Sequence, residues 1–81
     1  MNARTLDTLR IGDRAIIAAV STQNRMLYRR FLSMGILAGT TVEITRFAPL
    51  GDPIEIKALG YKLSLRTSEA SQIEVSHVSH T

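Results

Sequence analysis

Two histidines near the carboxyl end, His77 and His80, are the first candidates for chemistry in this chain. They are its only imidazoles, and it contains no cysteine. Imidazole nitrogens bind zinc and other transition metals, but residues three apart share a face on a helix and not on an extended strand. Both histidines lie in the polar segment 76–81, which we predict to be a flexible, solvated tail. We therefore expect at most weak binding of zinc or ferrous iron by this pair.

The other polar residues do not form a catalytic set. Covalent or acid–base catalysis needs a nucleophile with its base or a close pair of carboxylates, and the seven carboxylates are scattered. No Gly-Lys-Ser or Gly-Lys-Thr loop for phosphate is present. The Gly51-Asp52 step, beside two prolines, is typical of a turn rather than of a phosphate cradle. The sequence predicts a protein that is not an enzyme and requires no cofactor.

Length and composition restrict the class of protein. The 81 residues form one domain, 1–81, with 44% hydrophobic residues and a formal net charge of +3. No apolar run approaches the roughly 20 residues that a membrane-spanning helix needs, so we expect no direct membrane insertion. The first residues lack the apolar stretch of a secretory signal. These properties predict a globular cytoplasmic protein and leave its oligomeric state open.

Apolar periodicity predicts the elements that position these residues. Segment 24–34 carries apolar side chains at the spacing of an amphipathic helix, about three turns long. The helix is expected to end at Gly35 in the left-handed conformation, with Ile36 closing the hydrophobic contact of a Schellman motif. Short apolar or alternating runs predict strands at 15–20, 41–46, 54–58, 61–65 and 73–75.

About five short strands and one short helix in so short a chain predict a mainly β fold. The strands 54–58 and 61–65 are expected to form a hairpin around Leu59-Gly60. Thr67 or Ser68 is expected to cap a single helical turn. Because barrel closure removes exposed sheet edges, a small SH3-like barrel fits best, and an OB-like barrel is the alternative. The core of the domain is expected to extend from about residue 9 to residue 75.

Two surface features offer contacts to a partner. Arg25, Arg29 and Arg30 lie on the polar side of the predicted helix, where they form either a solvated face or a surface that steers an acidic partner. The segment Ala48–Pro53 has the proline and glycine positions of a turn. Such a turn places Leu50 near the surface, where an apolar side chain can anchor a partner.

Leu32 and Met34 have two interpretations. Both lie beside the apolar stripe of the predicted helix, which favours packing in the core, and contact with a partner is the alternative. The candidates for partner binding are therefore Leu50, Gly51, Asp52, Arg25, Arg29, Arg30, Leu32 and Met34.

The stretch Leu32–Thr40, with its Met-Gly-Ile turn, and the following loop Ala48–Pro53 resemble the FeoA family, ferrous iron transport protein A. The similarity extends from about Leu9 to Val75, and Ala38 stands where many relatives have proline. The resemblance implies an SH3-like fold and a cytosolic accessory role in ferrous iron uptake. The implied partner is the membrane transporter FeoB, which carries a cytoplasmic GTP-binding domain.

Two alternative functions follow from the small basic barrel. Nucleic-acid barrels stack bases on exposed aromatic residues, and this chain offers only Tyr28, Phe31, Phe47 and Tyr61. Because Phe31 and Phe47 are expected in the core, no stacking platform forms, and we expect no nucleic acid partner. The second alternative is a metal-sensing domain, since the SH3-like C-terminal domain of DtxR-type metal-dependent repressors is similar. The helix-turn-helix of those repressors has no room in this chain.

Overall fold

Six strands pair into one antiparallel sheet within residues 4–80, the part of the chain that the computed structural model describes. In chain order the elements are β1 (Arg4–Thr5), a 3-10 turn (Leu6–Thr8), β2 (Asp13–Val20), α1 (Arg25–Ser33), β3 (Thr41–Phe47), β4 (Ile54–Ala58), β5 (Tyr61–Leu65), α2 (Thr67–Ala70) and β6 (Ile73–His80). The strand order is β1-β6-β2-β3-β4-β5. β1 and β5 form the two edges and do not pair with each other, so the sheet does not close into a strict barrel.

Buried and exposed residues alternate along the strands, as the sequence predicts. In β4, Ile54, Ile56 and Ala58 are buried, and the residues between them are more exposed. The buried apolar residues are Leu6, Leu9, Ala15, Ile17, Phe31, Ile36, Val42, Ile44, Ile54, Ile56, Ala58, Leu65, Ala70, Ile73 and Val75. The core thus begins before the predicted limit at residue 9, because the 3-10 turn carries Leu6 into it.

The predicted hairpin of β4 and β5 is confirmed. The two strands pair in an unbroken register, and Ala58 lies opposite Tyr61 at the turn. Leu59 and Gly60 between them have φ values of 53° and 86°. Two successive residues with positive φ are typical of a type I′ turn, whose twist matches that of the strands it joins.

The predicted end of α1 at Gly35 is confirmed, and the helix starts one residue after its predicted start. The side chain of Asn24 accepts a hydrogen bond from the N–H of Leu27 at 3.1 Å and caps the start of the helix. At the other end Gly35 has a φ of 80°, and its N–H donates to the carbonyl of Leu32 at 3.0 Å. The N–H of Ile36 donates to the carbonyl of Phe31 at 2.9 Å, which completes the Schellman motif.

The second helix, α2, begins differently from the prediction. Its N-cap residue is Arg66, not Thr67 or Ser68, and the N–H of Arg66 donates to Oε1 of Glu69 at 2.9 Å. The hydroxyl of Thr67 is directed instead to Asp52. Neither α1 nor α2, the helices within residues 4–80, is long and apolar enough to cross a membrane.

The segment predicted as a tail belongs to the sheet. Residues 76–80 continue β6, and Ser79 and His80 lie opposite Arg14 and Asp13 of β2. The prediction of a tail, which rests on polar composition, is wrong here. The hydrogen bonds between paired strands join backbone groups, so polar residues can form a strand as well. Val78 also packs against the core from this segment. Thr81 lies outside the described residues.

Gly35 offers a test of the helix end. A Cβ at this position would lie 2.3 Å from Cδ1 of Leu59, whereas a Cβ at Gly39, φ 96°, would meet nothing within 4 Å. Gly39→Ala should cost about 1–2 kcal/mol for the left-handed backbone alone. Gly35→Ala should cost roughly 0.5–1.5 kcal/mol more, because the side chain of Leu59 must leave its rotamer. Urea unfolding of the two variants measures the difference.

A double variant separates the two contributions at Gly35. The cost of Gly35→Ala in a protein that already carries Leu59→Ala is the free energy of unfolding of the double variant compared with that of Leu59→Ala alone. If the contact with Leu59 causes the additional cost, this value should equal the cost of Gly39→Ala in the wild type. Equal costs for the Gly35→Ala and Gly39→Ala single variants would show that the contact has no energetic importance.

Candidate functional site

The loop between β3 and β4 is a closed turn with an apolar tip. The N–H of Gly51 donates to the carbonyl of Ala48 at 2.7 Å, and the N–H of Ala48 donates to the carbonyl of Pro53 at 3.0 Å. Leu50 lies between these bonds with 96% of its surface exposed, as expected from the turn. The backbone of the loop is therefore fixed while its largest apolar side chain is in solvent.

Asp52 holds this loop against α2. Its Oδ1 accepts hydrogen bonds from the N–H of Thr67 at 2.8 Å and from the hydroxyl of Thr67 at 3.1 Å. A carboxylate at the first N–H groups of a helix is also favoured by the helix dipole. The sequence placed Asp52 among the partner contacts, but the structure gives its carboxylate an internal role. No local signal reveals this pairing, since the two residues are 15 positions apart.

Arg30 joins α1 to α2. Its guanidinium donates to both carboxylate oxygens of Glu69, at 2.7 Å and 3.4 Å, and Glu69 is buried. Oε1 of Glu69 also accepts the N–H of Arg66. The Arg30 side chain is thus half-exposed, as expected for the polar face of α1, but its guanidinium is engaged in an ion pair within the protein. Glu69 lies three residues after the N-cap Arg66, a position from which a glutamate commonly accepts the N-cap N–H, and this spacing is the local signal for Glu69.

Arg25 and Arg29 remain on the surface. They line a shallow depression together with Thr22, Gln23 and Tyr28. Within residues 4–80 neither arginine takes part in an ion pair. On the basic face of α1, Arg25 and Arg29 are thus exposed without an ion-pair partner among residues 4–80.

Leu32 and Met34 occupy different environments. Met34 is half-buried and packs against the core, as expected. Leu32 is 44% exposed, and the prediction of core packing is wrong for it. The inward side of α1 is formed by Leu27, Phe31 and the following Met34, and Leu32 falls beside this stripe rather than in it. Leu32 stays available for contact with a partner.

His80 contacts a buried carboxylate. Its Nδ1 lies 2.6 Å from Oδ1 of Asp13, which is only 3% exposed, and its ring lies over Gly12. Oδ2 of Asp13 accepts the N–H of Arg10 at 2.9 Å. Because the carboxylate accepts, the Nδ1–H of His80 donates, and in a neutral imidazole the lone pair is then on Nε2. His80 is thus tied to the fold and does not lie in a free tail.

His77 has a different setting. It has a φ of 53° and lies where the register between β2 and β6 shifts, and its Nδ1 is 3.0 Å from the hydroxyl of Ser76. Within residues 4–80 no group of three or more histidine, aspartate or glutamate side chains is placed to hold a metal ion. The described residues therefore form no preorganised metal site, and His80 is the better oriented of the two candidate ligands.

The hydrogen bonds to Asp13 make stability depend on pH. The N–H of Arg10 and then the His80 ring hold the pKa of Asp13 below its usual value of 3.8. A carboxylate with a lowered pKa stabilises the folded state above that value, and the contribution is lost as the pH falls through the lowered pKa. Asp13→Asn should therefore lower the Tm near neutral pH, and the difference from wild type should shrink well below pH 3.8.

Thermal unfolding of both proteins over this pH range measures the effect. Glu43→Gln is the matched control, because Glu43 forms a half-exposed ion pair with Arg14 at 3.4 Å and should matter little at any pH. A constant Tm difference between wild type and Asp13→Asn at every pH would contradict the expected role of the charge.

Comparison with known proteins identifies the family of this chain. The model of the FeoA domain matches residues 4–77. The chain belongs to the FeoA family. A curated relative from Porphyromonas gingivalis, an Fe(2+) transport protein A/Fe(2+) transporter FeoB fusion protein, is 39% identical over 75 residues. These cover 91% of this chain but only 9% of the fusion protein. The family is thus tied to ferrous iron transport, and in this relative a FeoA part is fused to FeoB.

Solved structures confirm the SH3-like fold. The FeoA-like protein of Clostridium acetobutylicum superposes with a TM-score of 0.86 at 33% identity and covers 100% of this chain and 94% of that one. FeoA of Stenotrophomonas maltophilia, described as an SH3 domain protein and solved with zinc, gives a TM-score of 0.80 at 27% identity over 91% of each chain.

The fold extends to metal-dependent repressors, as the second resemblance implied. A manganese-dependent transcriptional repressor superposes with a TM-score of 0.85 at 24% identity. The match covers 94% of this chain and 41% of the repressor. At this identity the similarity shows the shared fold alone.

Proposed function

We propose that this protein is a cytosolic accessory factor for ferrous iron uptake that binds a FeoB-type membrane transporter carrying a GTP-binding domain. It acts by binding and has no enzymatic activity of its own. The fusion of a FeoA part with FeoB in the Porphyromonas gingivalis relative supports this partner. Joining two proteins in one chain raises their effective concentration, which is useful when they bind each other.

The observation that carries the proposal is the exposure of Leu50. With 96% of its surface in solvent, Leu50 packs against little of its own chain and is accessible to a partner. Its turn is closed by backbone hydrogen bonds and held to α2 by Asp52. A preorganised anchor loses little conformational entropy on binding, so its burial in a pocket of the partner contributes nearly in full.

A chain of contacts links this loop to the basic face. Asp52 bonds to Thr67 at the start of α2, and Glu69 of α2 pairs with Arg30 of α1. The free guanidinium groups of Arg25 and Arg29 lie on the same helix α1. Positive charge on this helix should speed the encounter with an acidic partner surface, while Leu50 supplies the apolar contact.

Leu50→Ala should weaken binding to the transporter by about 1–2 kcal/mol, roughly 5- to 30-fold in affinity, because the anchor is removed. The same change should alter the free energy of unfolding by about 0.5 kcal/mol or less, because Leu50 touches little of its own chain. Surface plasmon resonance with purified FeoB-type transporter, alongside thermal unfolding, measures both quantities.

Leu59→Ala is the matched control for Leu50→Ala. Leu59 is also an exposed leucine in a turn, with 60% of its surface in solvent, but it lies at the opposite end of β4. Its replacement should leave transporter affinity unchanged. Unaltered affinity in Leu50→Ala would remove the loop from the interface, and equal losses in both variants would point to a general effect of surface hydrophobicity.

Metal binding by the isolated protein is a separate prediction. Zinc or ferrous iron should bind weakly, and chiefly through Nε2 of His80, because Asp13 fixes the other ring nitrogen. Calorimetry with zinc should show reduced affinity in His80→Ala and a smaller reduction in His77→Ala. Tight binding that persists in the double variant would place the metal on carboxylates instead.

A further inference from the structure

The depression beside α1 has an unusual set of side chains. Its lining consists of Thr22, Gln23, Arg25, Tyr28 and Arg29. Each of the five can donate a hydrogen bond, two carry a permanent positive charge, and none is a carboxylate. The hydroxyl oxygen of Thr22 accepts the N–H of Asn24 at 3.2 Å, which leaves the hydroxyl proton free to donate. Such a lining fits a ligand that only accepts hydrogen bonds and is negatively charged.

The two arginines of the depression are among the basic residues that form no ion pair within residues 4–80. Arg14, Arg30 and Lys62 each lie within 4.0 Å of a glutamate oxygen. Arg25 and Arg29 have no such partner within residues 4–80, and α1 contains no acidic residue. Being one turn apart on a helix, they repel each other, and a bound anion would relieve this repulsion.

We propose that this depression, formed by the five residues named above, binds two neighbouring carboxylates on an acidic segment of the partner protein. The identity of that partner rests on the proposed function, whereas the site itself does not. Two guanidinium groups match a charge of −2, and each can hold one carboxylate through a bidentate pair of hydrogen bonds. Residues at this helical spacing have Cβ atoms about 5–6 Å apart, a separation that adjacent acidic side chains of a peptide can span.

The remaining donors complete the site. A carboxylate offers about four acceptor positions, so two bidentate pairs leave acceptor sites on both groups. The hydroxyls of Thr22 and Tyr28 and the amide of Gln23 border the two arginines and can fill them. Arg25 and Arg29 then contribute direct contacts to the bound complex, in addition to speeding its formation.

An acidic peptide tests the site on this protein alone. Hexaglutamate is titrated into the full chain and followed by NMR, with hexalysine as the peptide control and inorganic phosphate as a separate arm. Shift changes should concentrate on residues 22–29. The double variant Arg25→Gln/Arg29→Gln should lose at least about tenfold in affinity and keep its helix, since glutamine and arginine have similar helix propensity.

Arg46→Gln/Lys57→Gln is the matched control, because it also removes two positive charges, from β3 and β4, where both side chains are exposed. It should reduce affinity for hexaglutamate by less than about threefold, the effect of net charge alone. Equal losses in the control and in Arg25→Gln/Arg29→Gln, or shift changes spread over all basic residues, would overturn the proposal. Tighter binding of phosphate than of hexaglutamate at residues 22–29 would also overturn it, and would make the site one for phosphate.

The same variants distinguish this proposal from the proposed function. In transporter binding, Arg25→Gln/Arg29→Gln should increase the dissociation rate as well as slow association, whereas loss of steering alone changes the association rate. If hexaglutamate binds as expected and the transporter does not bind at all, the carboxylate-binding site is supported and the proposed FeoB partner is contradicted. If the transporter binds and hexaglutamate does not, the reverse holds.

Discussion

The carboxylate of Glu69 is the group on which the arrangement of the surface depends. It is almost buried, and it accepts hydrogen bonds from the backbone of Arg66 and the guanidinium of Arg30. Buried charge persists only when it is paired and hydrogen-bonded, so this carboxylate needs both partners, and through them it joins α1 to the start of α2. Because Asp52 in turn binds Thr67 in the first turn of α2, the exposed loop is positioned through the same helix.

The three arginines of α1 show how a tertiary contact assigns roles that sequence cannot. Arg25, Arg29 and Arg30 look equivalent as residues on the polar side of a helix. Glu69 of α2 pairs with Arg30. The guanidinium groups of the other two form no ion pair within residues 4–80. Both of these arginines lie at one depression whose lining contains no acid.

Much of the fold could be predicted because its signals are local. The Schellman end at Gly35 and the Leu59-Gly60 hairpin turn depend on backbone rules that operate within a few residues. The exposure of Leu50 follows equally from its turn. The pairs Asp13–His80 and Arg30–Glu69 are separated by 67 and 39 positions, and no local pattern encodes such contacts. For the same reason, local composition predicts a tail at residues 76–80 although they continue β6. Their partner strand, β2, is distant in sequence.

The position of β6 determines when the sheet can be completed. This strand lies between β1 and β2 and pairs with both, yet it is the last element in chain order. During synthesis, β2 to β5 can already form a sheet of sequential neighbours, but Leu6 and the 3-10 turn have no strand to pack on until β6 emerges. Such non-local pairing slows folding. The N-terminal part of the core therefore assembles only after β6 has been synthesised, although its own residues precede every other element.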